Sequence, residues 1–334
     1  MKLKPWLLLP SPLLYSLHPF FLNIYSRIQS GKTYRWKTLD WRGLHFPNPL
    51  GTAGGVDKNA CYVKNYCALG AGFLELGTVT PEAQAPNPRP LLKRSLKHFS
   101  LWNNMGFPNR GLHFFEKQLD MIFKENSSFP IPLFINLGKN RTTALSSAVL
   151  DYKKGMLSLW KYASAFVINI SSPNTQSLRD IFDTKYLMKF LKSINEIRLS
   201  LNKNIPLILK LSPDEEDSMR IIEQSLTAGI DGWCLTNSTR QRPVKNLFLE
   251  NKGGVSGKLL APLSIHLLKE LRKWLDKNKV KDKLVISCGG VLTPQDVFGR
   301  LDIGADLVQV YSALVFNGYS FFSSVYSKIK EKNS

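Results

Sequence analysis

The chain has 334 residues, of which 43% are hydrophobic and 21% are charged, and these ordinary globular values exclude a disordered, collagenous or disulfide-scaffold protein. The charge balance is unusual, because 45 Lys and Arg against 25 Asp and Glu leave a formal net charge of +20. Such an excess indicates an anionic partner: nucleic acid, lipid head groups, or phosphorylated and carboxylated small molecules. Four cysteines without a CxxC pair predict reduced, intracellular thiols, and five scattered histidines give no support for a metal site.

Residues 1–42 form a separate region that is both basic and rich in large apolar side chains. Lys2 and Lys4 precede a short apolar run and so imitate the start of a signal peptide. Pro10 and Pro12 interrupt that run, however, and no small-residue cleavage site follows. No stretch approaches the roughly 18 uninterrupted apolar residues of a membrane-spanning helix.

The same region predicts two short helices. Ser11 can cap a first helix with Pro12 at its first position, and Pro19 then begins a second helix. Apolar residues recur at helical spacing along both segments, at Leu13, Leu17, Phe20, Ile24 and Ile28. Two interpretations are open. The stripe either packs on the main domain, or enters the interface of a membrane while the basic residues contact lipid head groups.

From residue 43 onward, short apolar runs alternate with longer amphipathic segments. The runs predict eight strands, at residues 49–52, 73–77, 133–137, 165–170, 207–211, 232–236, 284–287 and 307–310. Helices are predicted between them, for example at residues 152–162, 184–201, 215–228, 263–278 and 293–301. Strict alternation implies parallel strands with right-handed crossovers, and eight units predict an α/β protein with a closed (β/α)8 TIM barrel. The predicted domains are therefore a helical region, 1–42, and a barrel, 43–334.

The predicted strands all end in polar residues or glycine, and barrel active sites lie at these ends. Asparagine amides there offer neutral donors and acceptors that suit the imide edge of a pyrimidine, while Lys58 supplies a charge for a carboxylate. Glycines after the last strands and a helix start at Thr293-Pro294 predict a phosphate site. Lys210, inside an apolar run, requires an anionic or electron-rich partner such as a reduced flavin. No GxGxxG follows a strand, which disfavours a Rossmann-bound dinucleotide.

Six motifs carry a family resemblance: NPLG at 48–51, DK at 57–58, GTVTP at 77–81, Asn103 with MGF at 105–107, INISSPNT at 168–175 and GGVSG at 253–257. In this order and spacing they resemble the dihydroorotate dehydrogenase family, and the run 169–174 is the most specific of them. The N-terminal region is similar to the extension of the membrane-associated, quinone-dependent class.

The resemblance implies one FMN per chain, no metal, and a role for each matching residue. FMN contacts are implied for Gly54, Gly55, Val56, Asp57, Lys58, Thr78, Asn136, Asn169, Lys210, Thr236, Gly257, Gly290, Tyr311 and Ser312. Substrate contacts are implied for Lys58, Asn103, Asn104, Met105, Gly106, Phe107, Asn169, Asn174, Asn237 and Ser238. Ser172 is the implied catalytic base, at the position where the cytosolic classes have cysteine.

The implied reaction is oxidation of (S)-dihydroorotate to orotate in pyrimidine biosynthesis. Ser172 removes the C5 proton, hydride passes from C6 to N5 of FMN, and a ubiquinone-type quinone is the final acceptor. The implied location is the cytoplasmic side of the inner cell membrane, as a peripheral protein on the lipid surface. Asn104 departs from the family pattern, since the quinone class usually has arginine there, and a structural or solvent-facing role is an open alternative to the implied substrate contact.

Two alternatives are weighed against this prediction. A tRNA dihydrouridine synthase-like reductase is also an FMN barrel that acts on a pyrimidine, and the +20 charge would suit RNA. The chain shows no separate RNA-binding module, however, and has Ser172 where cysteine is expected. A non-enzymatic basic protein that coats membrane or nucleic acid would leave the polar strand ends unexplained. We therefore expect no nucleic-acid partner.

Overall fold

A closed barrel of parallel strands forms the main body of the computed structural model, which describes residues 4–9, 11–32, 34–124, 128–175, 178–182 and 184–333. The strands of the described residues are β1 (Leu39–Trp41), β2 (Leu44–Phe46), β3 (Leu50–Asp57), β4 (Phe73–Val79), β5 (Leu92–Ser95), β6 (Ser100–Asn103), β7 (Leu133–Leu137), β8 (Ala165–Asn169), β9 (Leu207–Leu211), β10 (Gly232–Leu235), β11 (Gly254–Gly257), β12 (Leu284–Cys288) and β13 (Leu307–Val310). The barrel order is β10-β12-β13-β3-β4-β7-β8-β9. These eight strands are the eight predicted apolar runs, so the predicted TIM barrel is confirmed.

Helices surround the barrel. They are α1 (Ser11–Gln29), α2 (Val63–Ala68), α3 (Gly111–Phe123), α4 (Ala148–Leu159), α5 (Thr184–Leu199), α6 (Ser218–Thr227), α7 (Ala261–Lys277), α8 (Pro294–Ile303), α9 (Ser312–Asn317) and α10 (Phe321–Asn333), with 3-10 turns at Pro5–Leu8, Leu145–Ser147, Leu178–Phe182 and Lys258–Leu260. The predicted start of α8 is confirmed. The Thr293 hydroxyl accepts the Asp296 N–H at 3.2 Å, and the Asp296 carboxylate accepts the Thr293 N–H at 2.8 Å.

One end of the barrel is closed by apolar packing. The hairpin of β1 and β2 lies there, and the Phe46 ring meets the rings of Phe73 and Phe134 edge to face at centroid distances of 5.9 and 6.0 Å. Phe73, Phe134 and Ile208 belong to the buried cluster that fills the interior. Because apolar side chains fill this end, a site can form only at the opposite end, where the polar strand ends lie.

A small antiparallel sheet, in the order β11-β6-β5, stands outside the barrel. Leu101 of β6 pairs with Ser256 of β11, and both residues line the cavity described below. The sequence did not predict these strands. Each is four residues long and mixes polar with apolar residues, so none shows a continuous apolar run.

The prediction of two N-terminal helices that separate at Pro19 is wrong. A 3-10 turn covers Pro5–Leu8, and one continuous α-helix runs from Ser11 through Pro19 to Gln29. An interior proline costs a helix about 3 kcal/mol, and packing on both sides of Pro19 offsets this cost. His18 contacts Tyr66 of α2 through a 3.1 Å hydrogen bond, and Leu22 is fully buried. Pro10, which was also used in the prediction, lies outside the described residues.

One part of the apolar stripe of α1 packs on the main domain, and another part is exposed, as a membrane-binding face would be. Leu22 packs into the main core, whereas five large apolar residues face outward: Leu13 (45% exposed), Phe20 (60%), Phe21 (49%), Ile24 (43%) and Ile28 (62%). One face of the helix is thus bound to the barrel and the other is open. Within the described part of the chain, no helix is both long enough and apolar enough to cross a bilayer.

Candidate active site

A cavity opens where the barrel strands end, and each of the eight strands contributes to it directly or through the residue that follows. Predicted site residues that line the cavity are Gly54, Gly55, Lys58, Thr78, Asn103, Met105, Gly106, Phe107, Asn136, Asn169, Ser172, Asn174, Lys210, Thr236, Asn237, Ser238, Gly290, Tyr311 and Ser312. Residues that sequence reasoning missed include Leu92, Leu101, Pro108, Ser256, Val291 and Gln309. The structure therefore gathers most of the predicted residues around one space.

Val56, Asp57, Asn104 and Gly257 do not line the cavity, and their predicted ligand contacts remain predictions. Asp57 shapes the turn after β3, because its carboxylate accepts the N–H groups of Cys61 at 3.0 Å and of Tyr62 at 2.7 Å. Burial raises the pKa of the Asp57 carboxyl. Gly257 has a φ of +82°, a conformation that favours glycine. A Cβ atom there would lie 2.4 Å from the backbone oxygen of Phe99.

Asparagine side chains form a network across the cavity. Asn169 Nδ2 donates to Thr78 Oγ1 at 3.0 Å and to Asn136 Oδ1 at 3.2 Å. Asn237 Nδ2 donates to Asn169 Oδ1 at 3.3 Å, which links β8 to the end of β10. Each amide is fixed by a neighbour, so the donors and acceptors are oriented before a ligand arrives.

Asn174 carries an unused acceptor into this network. Its Nδ2 donates to Asn103 Oδ1 at 2.7 Å, whereas its Oδ1 is buried and has no hydrogen-bond partner among the described residues. A buried acceptor without a donor costs about 1–3 kcal/mol, so a ligand that supplies an N–H or O–H group at this point removes the penalty. The amide thus has the character of a ligand contact.

Ser172 lies in the turn after β8 and is buried. Its Oγ accepts the backbone N–H of Asn174 at 3.2 Å and lies 3.5 Å from the hydroxyl of Thr175, which is also buried. Arg179 stabilises the preceding residue, because its Nε donates to the backbone oxygen of Ser171 at 3.0 Å. Another nitrogen of the same guanidinium donates to the backbone oxygen of Ser238 at 3.3 Å. The position of the Ser172 hydroxyl is thus set by two strand ends.

Lys210 has an anionic partner within the protein. Its Nζ is 2.7 Å from Glu75 Oε1, and both residues are buried. A buried lysine needs such a partner; a reduced flavin was predicted, whereas Glu75 was not. Burial is the largest single influence on the pKa of Lys210 and lowers it, but the charge and hydrogen bond of Glu75, together with Cys234 and Cys288, outweigh burial, so the net shift is upward. Glu75 stands inside the apolar strand β4, so the rule applied to Lys210 would have found it.

Asn87, also missed, connects two parts of the site. Its Nδ2 donates to Asn104 Oδ1 at 2.9 Å and to the backbone oxygen of Asn174 at 3.0 Å, and its N–H donates to the backbone oxygen of Met105 at 3.0 Å. The amide oxygen of Asn104 is thus held by Asn87, while its implied substrate contact stays a prediction. Across the described segments, no cluster of three or more His, Cys, Asp or Glu residues could hold a metal ion.

The fold and this cavity define a TIM-barrel enzyme whose site is built from amides, hydroxyls and a buried lysine. The chain belongs to the dihydroorotate dehydrogenase family, because the family model "Dihydroorotate dehydrogenase" matches residues 38–332. A relative from Pseudoalteromonas atlantica, named dihydroorotate dehydrogenase (quinone), is 37% identical over 290 residues, which are 84% of each chain. Its namesake from Dichelobacter nodosus is 35% identical over 325 residues, covering 92% of this chain and 93% of the relative.

Solved structures give the same result. The ligand-free DHODH of Eimeria tenella superposes with a TM-score of 0.85 at 28% identity, over 96% of this chain and 94% of that one. The complex of the Eimeria tenella DHODH with ferulenol gives a TM-score of 0.83 at 27% identity, over 97% and 92%. The family resemblance is confirmed. The tRNA-reductase and non-enzymatic alternatives are set aside.

Proposed function

We propose that this chain oxidises dihydroorotate to orotate in pyrimidine biosynthesis, with FMN as its cofactor and a membrane quinone as the final electron acceptor. Its relatives carry the name dihydroorotate dehydrogenase (quinone). The observation that carries the proposal is the meeting of Ser172, the unpaired Asn174 oxygen and Lys58 around one cavity. These groups match the proton to be removed, the imide edge and the carboxylate of the substrate.

Neutral amides suit a pyrimidine because each presents a donor and an acceptor in one plane. Asn174 Oδ1 would accept an N–H of the substrate ring, while Asn103 stays tied to the amide nitrogen of Asn174. The ammonium of Lys58 would face the carboxylate; it is positioned by a 2.6 Å hydrogen bond from its Nζ to the backbone oxygen of Gly55.

Ser172 would remove the proton from the substrate. A hydroxyl is a weak base in water, so the proposal depends on exclusion of water and on an acceptor for the displaced proton. Burial of Ser172 favours the first condition. The Thr175 hydroxyl, 3.5 Å from Ser172 Oγ, lies where it could take part in carrying the proton away.

The residues present fit a flavin mononucleotide. The polar edge of a flavin ring would find a hydroxyl, amides and a cation here, from Thr78, Asn136, Asn169 and Lys210. Barrels commonly bind phosphate after the last strands, which is where the chain has Gly290, Tyr311 and Ser312. When bound, FMN would supply the hydride acceptor and the electrons for the quinone.

The N-terminal region is placed to bring a quinone to this cofactor. Leu7 is buried in an apolar cluster with Leu101, and Tyr311 packs against that cluster; Leu101 and Tyr311 also line the cavity. Arg94 ties the segment down by donating to the backbone oxygens of Leu7 at 3.1 Å and Leu9 at 2.8 Å. An apolar wall thus runs from the N-terminal segment to the cavity.

The outward face of α1 would contact the membrane from which the quinone comes. Phe20, Phe21, Ile24 and Ile28 are exposed, and Arg27 lies in the last turn of the helix. Exposed apolar side chains beside basic ones are typical of helices that lie in a lipid interface. We propose that the protein lies on the cytoplasmic side of the inner membrane as a peripheral enzyme.

Acid or heat release of the cofactor, followed by chromatography, should yield FMN at one molecule per chain. The reason is the glycine-rich ends of the last strands, which is where barrels commonly bind a phosphate group. Release of FAD, or a colourless protein that FMN cannot reconstitute, would contradict this part of the proposal.

Substitution of Asn87 by alanine should raise the KM for dihydroorotate about tenfold, equivalent to about 1.4 kcal/mol. The change removes the two side-chain hydrogen bonds that join Asn104 to the backbone of Asn174. FMN content should stay the same. Asn278→Ala is the matched control, since the Asn278 amide caps α7 on the surface, and its KM should equal that of the unaltered enzyme. An unchanged KM in Asn87→Ala would contradict the assigned role.

A further inference from the structure

We propose that Glu75 is a positioning residue beneath the cavity floor, which orients Lys210, Asn136 and Gln309 and offsets the charge of Lys210, and so would lower the reduction potential of a flavin bound in the cavity. The inference rests on the proposed function, because it requires a flavin in the cavity. Glu75 does not line the cavity, and it would act on the cofactor through three residues that do.

Glu75 connects four barrel strands. Its Oε1 accepts from Lys210 Nζ of β9 at 2.7 Å and from Asn136 Nδ2 of β7 at 2.5 Å, and its Oε2 accepts from Gln309 Nε2 of β13 at 2.7 Å. All three donors line the cavity. The carboxylate itself stands on β4, so one side chain fixes the direction of polar groups from three other strands.

The network lies directly under the cavity floor. A Cβ atom added to Gly54, which lines the cavity, would stand 2.2 Å from Glu75 Oε1 and 2.8 Å from Asn136 Nδ2. The space under Gly54 is therefore occupied by the carboxylate. Beyond it, Cys234 Sγ donates to Gln309 Oε1 at 3.3 Å, which extends the chain of hydrogen bonds into the barrel interior.

Burial strengthens the electrostatic effect of the Glu75 charge on the cavity. Glu75 is 0% exposed and Lys210 is 5% exposed, so water screens neither charge well. Reduction of a flavin places additional negative charge in the cavity. The ammonium of Lys210 favours that charge, and the Glu75 carboxylate opposes it. With Glu75 in place, the pair of Lys210 and Glu75 contributes no net charge to the cavity floor.

The test is the midpoint potential of the bound flavin in Glu75→Gln, measured by dye equilibration against the unaltered protein. Glutamine keeps the size and a hydrogen-bonding carbonyl but removes the negative charge. We expect the equilibrium constant for flavin reduction to rise at least tenfold, a shift of about 30 mV to higher potential for two electrons. An unchanged or lower potential would overturn the inference.

Asp231→Asn is the matched control. Asp231 is also a buried carboxylate in ion pairs, with Arg42 and Arg198, but it precedes β10 at the closed end of the barrel. This variant should lose thermal stability while its flavin potential stays the same. Equal shifts in both variants would mean that Glu75 acts only through general stability, and would also overturn the inference.

A second variant, Glu75→Asp, decides the question if Glu75→Gln does not fold. Aspartate keeps the charge but is one methylene shorter, so it cannot reach Asn136, Lys210 and Gln309 together. We expect an unchanged potential and a raised Kd for FMN; a tenfold change in the reduction equilibrium would refute the charge argument. Absence of any flavin from the unaltered protein would instead refute the proposed function.

Discussion

Substitution of Ser172 by alanine should slow the reduction of the flavin by dihydroorotate at least about 100-fold, the lower range for loss of a general base. Ser172 is the buried hydroxyl that meets the cavity between Asn169 and Asn174, and the described contacts place no histidine or carboxylate on its Oγ. FMN content and orotate binding should change little, because the substitution removes a single hydroxyl. Anaerobic stopped-flow with excess dihydroorotate isolates this step from reoxidation by quinone.

Two further variants test whether the loss of rate belongs to the Ser172 side chain. Ser172→Cys should retain part of the activity, because a thiol can accept the proton. Ser171→Ala is the matched control, since Ser171 lies in the same turn but outside the cavity lining, where its Oγ accepts from Asn237 at 3.2 Å. Its rate should fall less than tenfold. A Ser172→Ala enzyme that reduces its flavin at the unaltered rate would exclude Ser172 as the base.

The double substitution Phe20→Glu with Ile24→Glu should weaken binding to lipid vesicles and turnover with a long-chain quinone at least tenfold. Both side chains are exposed on one face of α1, one helical turn apart, and burial of an apolar side chain contributes about 1.5–3 kcal/mol. Reduction of the flavin by dihydroorotate should be unaffected, because neither Phe20 nor Ile24 lines the cavity. Vesicle sedimentation and steady-state assays with vesicle-borne quinone measure the two effects.

Leu199→Glu provides the control for added charge, because Leu199 is 68% exposed at the end of α5, which packs on α4 and α6 rather than on α1. It should bind vesicles like the unaltered protein. Deletion of residues 1–36 should likewise spare FMN binding and flavin reduction but impair turnover with long-chain quinone. Unchanged vesicle binding and quinone kinetics in the double variant would contradict the assignment of α1 to the membrane.

The barrel could be predicted because parallel strands that are buried on both faces read as short, uninterrupted apolar runs. The N-terminal region was harder. A helix interior normally excludes proline, yet burial of Leu22 and the contact of His18 with Tyr66 keep α1 continuous through Pro19. Those contacts are long-range, so local sequence could not reveal them. In the sheet of β5, β6 and β11, the pairing of β6 with β11 joins residues about 150 positions apart, as in Asn103 with Gly254.

Much of the cavity lining was predictable because the polar residues at strand ends stand out against apolar runs. Glu75 and Gln309 were missed because they lie within strands, where they look like exceptions in an apolar pattern. Each has its partner on another strand: Glu75 accepts from Lys210, and Gln309 donates to Glu75. Asn87 lies in a polar loop, where one more asparagine gives no signal until the fold places it beside Asn104 and Asn174.

Anaerobic titration of the purified, oxidised protein with dihydroorotate tests the central claim most directly. We predict that the absorption of the bound flavin bleaches, with one orotate formed for each flavin reduced, and that added quinone restores the oxidised spectrum. Bound flavin that stays oxidised in the presence of excess dihydroorotate would contradict the assignment of this chain as an enzyme that oxidises dihydroorotate.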